Sequence, residues 1–309
     1  MVKEQTKPLK KQAGRDKKAI VEKYVFFVAI LALPVLQFVI MYLVVNANSI
    51  VMSFQKYENG RYVFLEDAFA NYKTFFNGLI KDPKLVNAVK NSLVQYLLTL
   101  VVTLPVSVIV SYYVYIQIPF TETFKVVLML PQMISNIVFV CIFRYLLEDG
   151  LIEIFHLPID TLRAAPTQFY TMLFYGLFFS FAANMVLYLG AITGVDQSVM
   201  EYGEIDGLGT LGKFWYVVLP AIWPTISVFI VSGVAGIFTN QGATYSFFDL
   251  WALDETYTLG YWMFVLVKGS ISFAEYPLAA TAGICFTLVA TPLVLLVKFL
   301  LERFGPKED

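Results

Sequence analysis

Apolar residues in this chain come in long unbroken runs, not in the alternation of a half-buried strand or the single stripe of a surface helix. Six runs approach the ~20 residues a helix needs to cross a hydrocarbon core. They lie near 24–45, 92–114, 126–147, 169–192, 221–241 and 277–300. The first is too long and too apolar for a cleaved signal segment, and no small-residue cleavage site follows it cleanly, so it reads as a retained span. The pattern predicts an all-α membrane protein of six transmembrane helices. Between the runs, 46–90 and 242–276 are sizeable polar segments on one side. The aromatics of the first (Tyr57, Tyr62, Phe64, Tyr72, Phe75, Phe76) predict packed structure there, not a free linker.

Composition agrees. Of 309 residues, 58% are hydrophobic and 15% are charged, against about 25% charged in a soluble domain. The spans pack as one domain, 24–303, preceded by a basic segment 1–23 and followed by a tail 304–309. Lys3, Lys7, Lys10, Lys11, Arg15, Lys17, Lys18 and Lys23 hold the N-terminus in the cytoplasm by the positive-inside rule, and six crossings return the C-terminus there, where Lys298, Arg303 and Lys307 agree. A net charge of −1 gives no signal for nucleic acid. Cys141 and Cys285 sit inside apolar runs and read as small apolar side chains. With His156 as the only histidine, neither a zinc site nor a His-based triad is expected, nor any catalytic residue or cofactor.

The middles of the spans contain no Asp, Glu, Lys, Arg or His. A coupling ion or proton has to be held by such a group at depth, so an ion-coupled transporter working alone is disfavoured. Uncharged polar residues do occur at depth: Gln132, Ser135 and Asn136 in the third span, Ser180 and Asn184 in the fourth. They bond neighbouring helices or line a path for a neutral polar solute. Pro34, Pro105, Pro131, Pro224 and Pro292 fit kinked helices around such a path.

The fourth and fifth runs are joined by a polar loop, 194–220, containing "EYGEIDGLGTLGKFWYVVLP". Asp196 or Ser198 can cap a short helix, and Ser198 with Glu201 fits a capping box. Gly207 suits the left-handed position that ends it, Thr210 can cap a second helix through Val218, and Pro220 closes that piece. Residues 207–213 also satisfy G-x-x-x-x-G-K. Phe214, however, stands where magnesium needs Ser or Thr, and no strand precedes the loop, so a nucleotide site is excluded.

Glu201, five residues, Gly207, nine residues, then Val217-x-Leu219-Pro220 resembles the EAA motif of ABC importer permeases, E-A-A-x3-G-x9-I-x-L-P. Asp206-Gly207 matches a common pair in that loop. Tyr202-Gly203 departs from Ala-Ala, keeping one small residue of two. The resemblance covers roughly residues 20–303. "NSIVMSFQKYENG", "FKVVLMLPQMISNIVFV" and "YPLAATAGICFTLVATPLVLLV" are similar to the sugar-permease branch, with an ending like that of the first permease of a maltose- or glycerol-phosphate-type pair. The Gly-Gly-Pro stretch many members carry after the fifth span is replaced by "NQGATYSFFDLW".

The resemblance implies a type I importer permease fold in a bacterial inner membrane, with loop 194–220 as a cytoplasmic coupling helix. It implies a heterodimer with a second permease, two ATP-binding cassette ATPase subunits and an extracellular solute-binding protein. On this account Glu201, Gly203, Asp206, Gly207, Leu219 and Pro220 couple the chain to the ATPase, and the polar residues at depth form half of a sugar or oligosaccharide pathway. Two rivals remain open. An ATP-independent channel or facilitator would conduct a neutral solute alone. A membrane enzyme would need titratable groups converging at one face, and Glu148, Asp149, Asp254 and Glu255 lack a surrounding base or metal pattern.

Overall fold

The computed structural model describes residues 9–117, 119–150, 162, 164, 167–269 and 273–306. Lys3, Lys7, His156 and Lys307 lie outside the described residues. The chain opens with helix α1 (Leu9–Gln37), which continues through a π-helical turn, Phe38–Val44, into α2 (Val45–Met52). Ile20–Met52 is long and apolar enough to cross a membrane, and none of its most apolar stretch is buried against the rest of the chain. Among the described residues its far end docks, where α2 meets the last helix and Thr281 Oγ1 donates to Ser53 O at 3.4 Å.

A two-stranded hairpin follows, β1 (Gln55–Glu58) against β2 (Arg61–Phe64), with Tyr57 opposite Tyr62. Its turn is Asn59-Gly60, both at positive φ (51° and 80°), the conformation that matches strand twist in a tight hairpin. Helix α3 (Ala70–Lys81) returns toward the bundle, burying Phe75. The expected packing of segment 46–90 is present. Phe54, Phe69 and Tyr72 form one ring cluster, and Tyr57 meets Tyr62 and Phe273.

Asp82 caps α4 (Pro83–Leu98) by accepting from the Lys84 N–H, with proline at the helix start. Through a π-helical turn at Thr99–Thr103, α4 continues into α5 (Leu104–Tyr115), and together they form one span, Pro83–Tyr115. α5 packs closely on α8 (Thr167–Thr193), the next full span. The contact is made by small hydroxyl residues. Ser107 Oγ donates to Thr103 O and Phe181 O, and Ser111 Oγ to Ser107 O and Met185 O, so each polar group finds a backbone partner away from water.

The third expected span, 126–147, is built differently. It is two shorter helices, α6 (Thr121–Met133) and α7 (Asn136–Tyr145), broken at Ile134–Ser135, where Ser135 adopts extended backbone. Among the described residues four helices are long and apolar enough to cross, and a bent fifth unit brings the number to five, so the sixth crossing of the sequence reading is not a single helix here. A run of apolar residues fixes only that a segment avoids water. At the break the Ser135 side chain makes no capping bond, and the Asn136 carboxamide bonds across to Tyr175 and Ser246.

Segment 242–276 also holds more than a polar loop. It carries α13 (Thr244–Phe248), a 3₁₀ turn at Asp254–Thr256 and an apolar helix α14 (Leu259–Lys268). α14 buries Tyr261 and Trp262 among Phe75, Leu85, Ala282 and Phe286, tying α3, α4 and α15 (Tyr276–Phe304) together. Two carboxamides staple this region. Asn91 Nδ2 donates to Glu255 O at 2.7 Å and Tyr257 O at 2.9 Å, while Gln168 accepts from Thr256 Oγ1 and from the Leu253 N–H. Both carboxamide side chains are buried. Asn91→Leu should leave the buried Tyr257 carbonyl and the part-buried Glu255 carbonyl without this donor, at about 1–3 kcal/mol. A thermal melt of the detergent-solubilised protein should show a midpoint several degrees lower, and an unchanged midpoint would deny the staple its role.

Candidate functional site

The chain's polar joint between its two central spans starts at Asp196, directly after α8. Helix α9 (Gln197–Ile205) begins there because the Asp196 carboxylate accepts both the Ser198 N–H and the Ser198 hydroxyl at 2.9 Å. These two bonds hold the Asp196 carboxyl below its usual range, the backbone bond first. Its contribution is therefore present above the ordinary carboxylate pKa and lost as pH falls through the lowered one. The expected Ser198–Glu201 capping box does not form. The ionised Asp196 is the stronger acceptor and claims the Ser198 N–H, and Glu201 accepts instead from Gln197 Nε2 at 2.9 Å.

The helix ends as the sequence predicts. Gly207 has φ +75°, its N–H donates to Glu204 O, and the Leu208 N–H reaches back to Gly203 O, both at 3.0 Å. This paired closure satisfies two terminal carbonyls and needs a residue without a Cβ penalty. Helix α10 (Thr210–Lys213) is capped by Gly209 in extended backbone, not by Thr210, which is its first helical residue. The Thr210 carbonyl has another task. It accepts from Tyr112 Oη of α5 at 2.8 Å.

The two short helices lock against each other and against the bundle. Gly203 is buried, and a Cβ there would lie 3.2 Å from Val217 Cγ2, so only glycine allows this approach without displacement. Lys213 Nζ meets Glu204 Oε1 at 2.7 Å across the joint, which pushes the Lys213 pKa up. Phe214 is buried against the Tyr112 ring, with centroids 5.1 Å apart. Below it a π-helical turn, Phe214–Val218, leads into α11 (Leu219–Ala221), with Pro220 near its start. The chain then bends by 64° at Ile222 into α12 (Trp223–Thr239). Val218 and Ile222 are almost fully enclosed by Val108, Tyr188 and Ile192. The result is an elbow seated on the ends of α5 and α8.

Of the coupling residues read from sequence, Glu201 and Asp206 are exposed, Gly203 is buried, Gly207 turns the chain, and Leu219 and Pro220 sit half-buried at the bend. Sequence reasoning missed the apolar outer face. Ile205 is 80% exposed and Leu211 75%, with Tyr202 and Tyr216 beside them in sequence position. The spacing of Tyr202 and Ile205 on an acidic short helix was the available signal.

The polar residues at depth divide. Asn136 and Ser180 line a cavity of about 300 Å³ between α4, α7, α8 and residues 240–244. Asn136 Oδ1 accepts from Tyr175 Oη at 2.9 Å, and its Nδ2 donates to Ser246 Oγ at 3.0 Å. Gln132 and Ser135 are exposed around the helix break, Asn184 is half-buried one turn beyond Ser180, and none of the three lines this cavity. Among the described residues no group of acidic, cysteine or histidine side chains could hold a metal ion.

No protein-family model matches the chain. It is 23% identical over 266 residues to the arabinooligosaccharides transport system permease protein AraP of Bacillus subtilis, covering 82% of each chain. It is 24% identical over 297 residues to the polygalacturonan/rhamnogalacturonan transport system permease protein YteP of the same organism, covering 93% of this chain and 90% of that protein. Its fold superposes with a TM-score of 0.73, at 19% identity, on a chain of a bacterial ABC transporter involved in the import of the acidic polysaccharide alginate, over 94% of this chain and 99% of the other. This chain is a homologue of sugar ABC transport permeases. The permease homologue is thus a multi-pass membrane protein with an ABC importer permease fold, and its relatives are transport components.

Two substitutions test the permease elbow. Gly207→Val forces a β-branched side chain into left-handed backbone, costing about 1–2 kcal/mol. Gly203→Leu overpacks the contact with Val217 by about 1–3 kcal/mol. Hydrogen exchange of amides 198–218 should speed up in both, with little change in α14. Protection equal to the parent protein in both would mean that the elbow is not rigid.

Proposed function

We propose that the chain is the transmembrane permease subunit of an ATP-driven, binding-protein-dependent importer for a sugar or oligosaccharide. It pairs with a second permease, and the pair sits on two ATP-binding cassette ATPase subunits and receives solute from an extracellular binding protein. The N- and C-termini and the 194–220 elbow face the cytoplasm, and the hairpin β1–β2 faces outside. A solved relative of this fold is described in complex with an alginate pentasaccharide-bound periplasmic protein, which supports the binding-protein partner.

The observation that carries this reading is the construction of the elbow. A docking element transmits force only if it cannot flex. Here two helices are closed by a glycine turn, clamped by Glu204–Lys213 and bonded to α5 through Tyr112–Thr210. Its exposed face offers what a protein groove recognises: apolar Ile205 and Leu211 for burial, and the Glu201 carboxylate for charge-assisted bonds. When ATP draws two ATPase subunits together, the groove moves the elbow, and the 64° bend at Ile222 passes that rotation directly to α12.

Glu201→Lys leaves every span intact and reverses the charge at the docking face. Membrane insertion should be normal, while solute-stimulated ATP hydrolysis in the assembled complex falls to the basal rate. Near-normal coupled uptake would reduce Glu201 to a local partner of Gln197. Sidedness is tested separately: a cysteine at residue 205 should be unreactive to an impermeant maleimide in intact cells and react once the membrane is opened. Labelling in intact cells would invert the proposed topology.

A further inference from the structure

A cavity of about 340 Å³ lies between α3, α4, α12 and α15, apart from the polar space around Asn136 and Ser180. Every described side chain that lines it is apolar, Cys285 included. We propose that it holds one acyl chain of an anionic phospholipid of the outer leaflet, with Lys90 binding the lipid phosphate. The choice of leaflet rests on the orientation proposed above.

The cavity is a slot with an open mouth and a closed floor. Phe76, Leu93 and Leu288 at the mouth are exposed, while Phe75, Leu259 and Phe286 at the floor are buried. Along the same two spans Leu97, Leu295 and Leu296 are also exposed, so the slot opens where the protein is bare and apolar. Water finds no hydrogen-bond partner in such a space. Close packing normally fills it. A lipid tail is as apolar as leucine and enters without a transfer cost. A helix of a neighbouring subunit, about 10–12 Å across with its side chains, would cover the mouth and leave the floor empty. A single hydrocarbon chain reaches the floor.

The rim supplies the charge that a phosphate needs. Helices α3 and α4 carry four lysines. Lys73 pairs with Asp67 and Lys84 with Asp254. Lys81 and Lys90 are exposed and make no ion pair among the described residues. Asp82, the carboxylate nearest to them in the chain, accepts from the Lys84 N–H. Lys90 follows Val89 and stands one turn before Leu93, and both of these line the slot. Helical side chains lean toward the start of their helix, here the outer end of α4, and a lysine stem carries its ammonium on toward the headgroups. An ammonium above a hydrocarbon slot is complementary to a phosphate above a tail.

Helix α3 marks the level of the membrane surface. It exposes Phe76 and Ile80 and ends on Lys81. Exposed apolar side chains with lysines at their edge are the pattern of a helix lying in the interface. Phe76 belongs both to that face and to the mouth of the slot. The slot therefore begins where headgroups give way to tails.

Two substitutions separate the tail from the headgroup. Leu93→Trp blocks the mouth, and because Leu93 is exposed the packed floor stays intact. Lys90→Gln removes the charge, and Lys90→Arg keeps it. Each is made in the complete transport complex, which is purified in detergent and titrated with dioleoyl phosphatidylglycerol or dioleoyl phosphatidylcholine while native mass spectrometry counts retained lipids. The parent complex should hold one phosphatidylglycerol about three- to tenfold more tightly than phosphatidylcholine. Lys90→Gln should remove that preference and Lys90→Arg should restore it. Leu93→Trp should release the lipid whatever its headgroup. A phosphatidylglycerol with a diazirine in its tail should label residues 285–293 in the parent and not in Leu93→Trp. The same lipid should raise the melting midpoint of the parent alone. Equal retention by the parent and Leu93→Trp, or no tail label at 285–293, overturns the slot. A preference that survives Lys90→Gln overturns the phosphate assignment. A benzophenone at position 289 that crosslinks to the second permease shows a protein occupant and overturns the proposal as well. Labelling by a probe confined to the cytoplasmic leaflet overturns the choice of leaflet. Solute uptake that persists through these failures leaves the importer reading standing, and a parent complex without uptake counts against the importer while the lipid measurements still decide the slot.

Discussion

One hydrogen bond organises the working end of this molecule: the Tyr112 hydroxyl of α5 to the Thr210 carbonyl at the start of α10. A polar joint between two membrane spans has every reason to be loose. Its backbone can bond to water, and connecting segments usually do. Here the phenol reaches out from one span and fixes the second half of the joint, while its ring supports Phe214. That bond and the buried Phe214, Val218 and Ile222 seat the elbow on the bundle. Without that seat α9 and α10 would still be helices, closed by Gly207 and bridged by Glu204–Lys213, but they would move as a pair relative to the bundle.

The same physical constraint appears in the membrane part in another form. Backbone and side-chain polar groups away from water must be paired. The contact of α5 with α8 meets this with serines that bond back into their own helix and across to the neighbour. Where the chain departs from regular helix, at the Ile134–Ser135 break and the Thr99–Thr103 turn, it does so beside cavities lined by amides and hydroxyls. At these two places irregular backbone and polar space occur together. A polar cavity and a place where helices can deform are neighbours there. The first helix follows a different logic. Its apolar surface is left uncovered by the other described residues, as a face toward lipid or another subunit would be.

Much of the elbow was legible in the residues. A glycine after an acidic short helix, a nine-residue gap and a Val-x-Leu-Pro exit define both the turn and its resemblance to a coupling loop, and Gly207 takes the left-handed conformation the reading required. The local caps were read less well. Of the two caps the residues offered, Asp196 is the one used; the Ser198–Glu201 box fails because the ionised Asp196 takes the Ser198 N–H that Glu201 would have needed. The third apolar run likewise gave length and composition but not continuity, and α14 was hidden in a segment too short to register as a span.

By itself, the sequence determined which segments avoid water, where polar groups interrupt them, and where the backbone must accept a left-handed turn. These are local matters, set by the transfer cost of each side chain and by the presence or absence of a Cβ. Tertiary structure alone decided which of the polar residues at depth meet. Asn136 and Ser180 share a cavity with Gln95 and Asn240, residues far apart in the chain, while Gln132, Ser135 and Asn184 fall elsewhere. Membrane helices of similar hydrophobicity have no preferred rotation until small residues and hydrogen bonds choose one. That choice is a sum over contacts between distant segments, and no short window of sequence contains it.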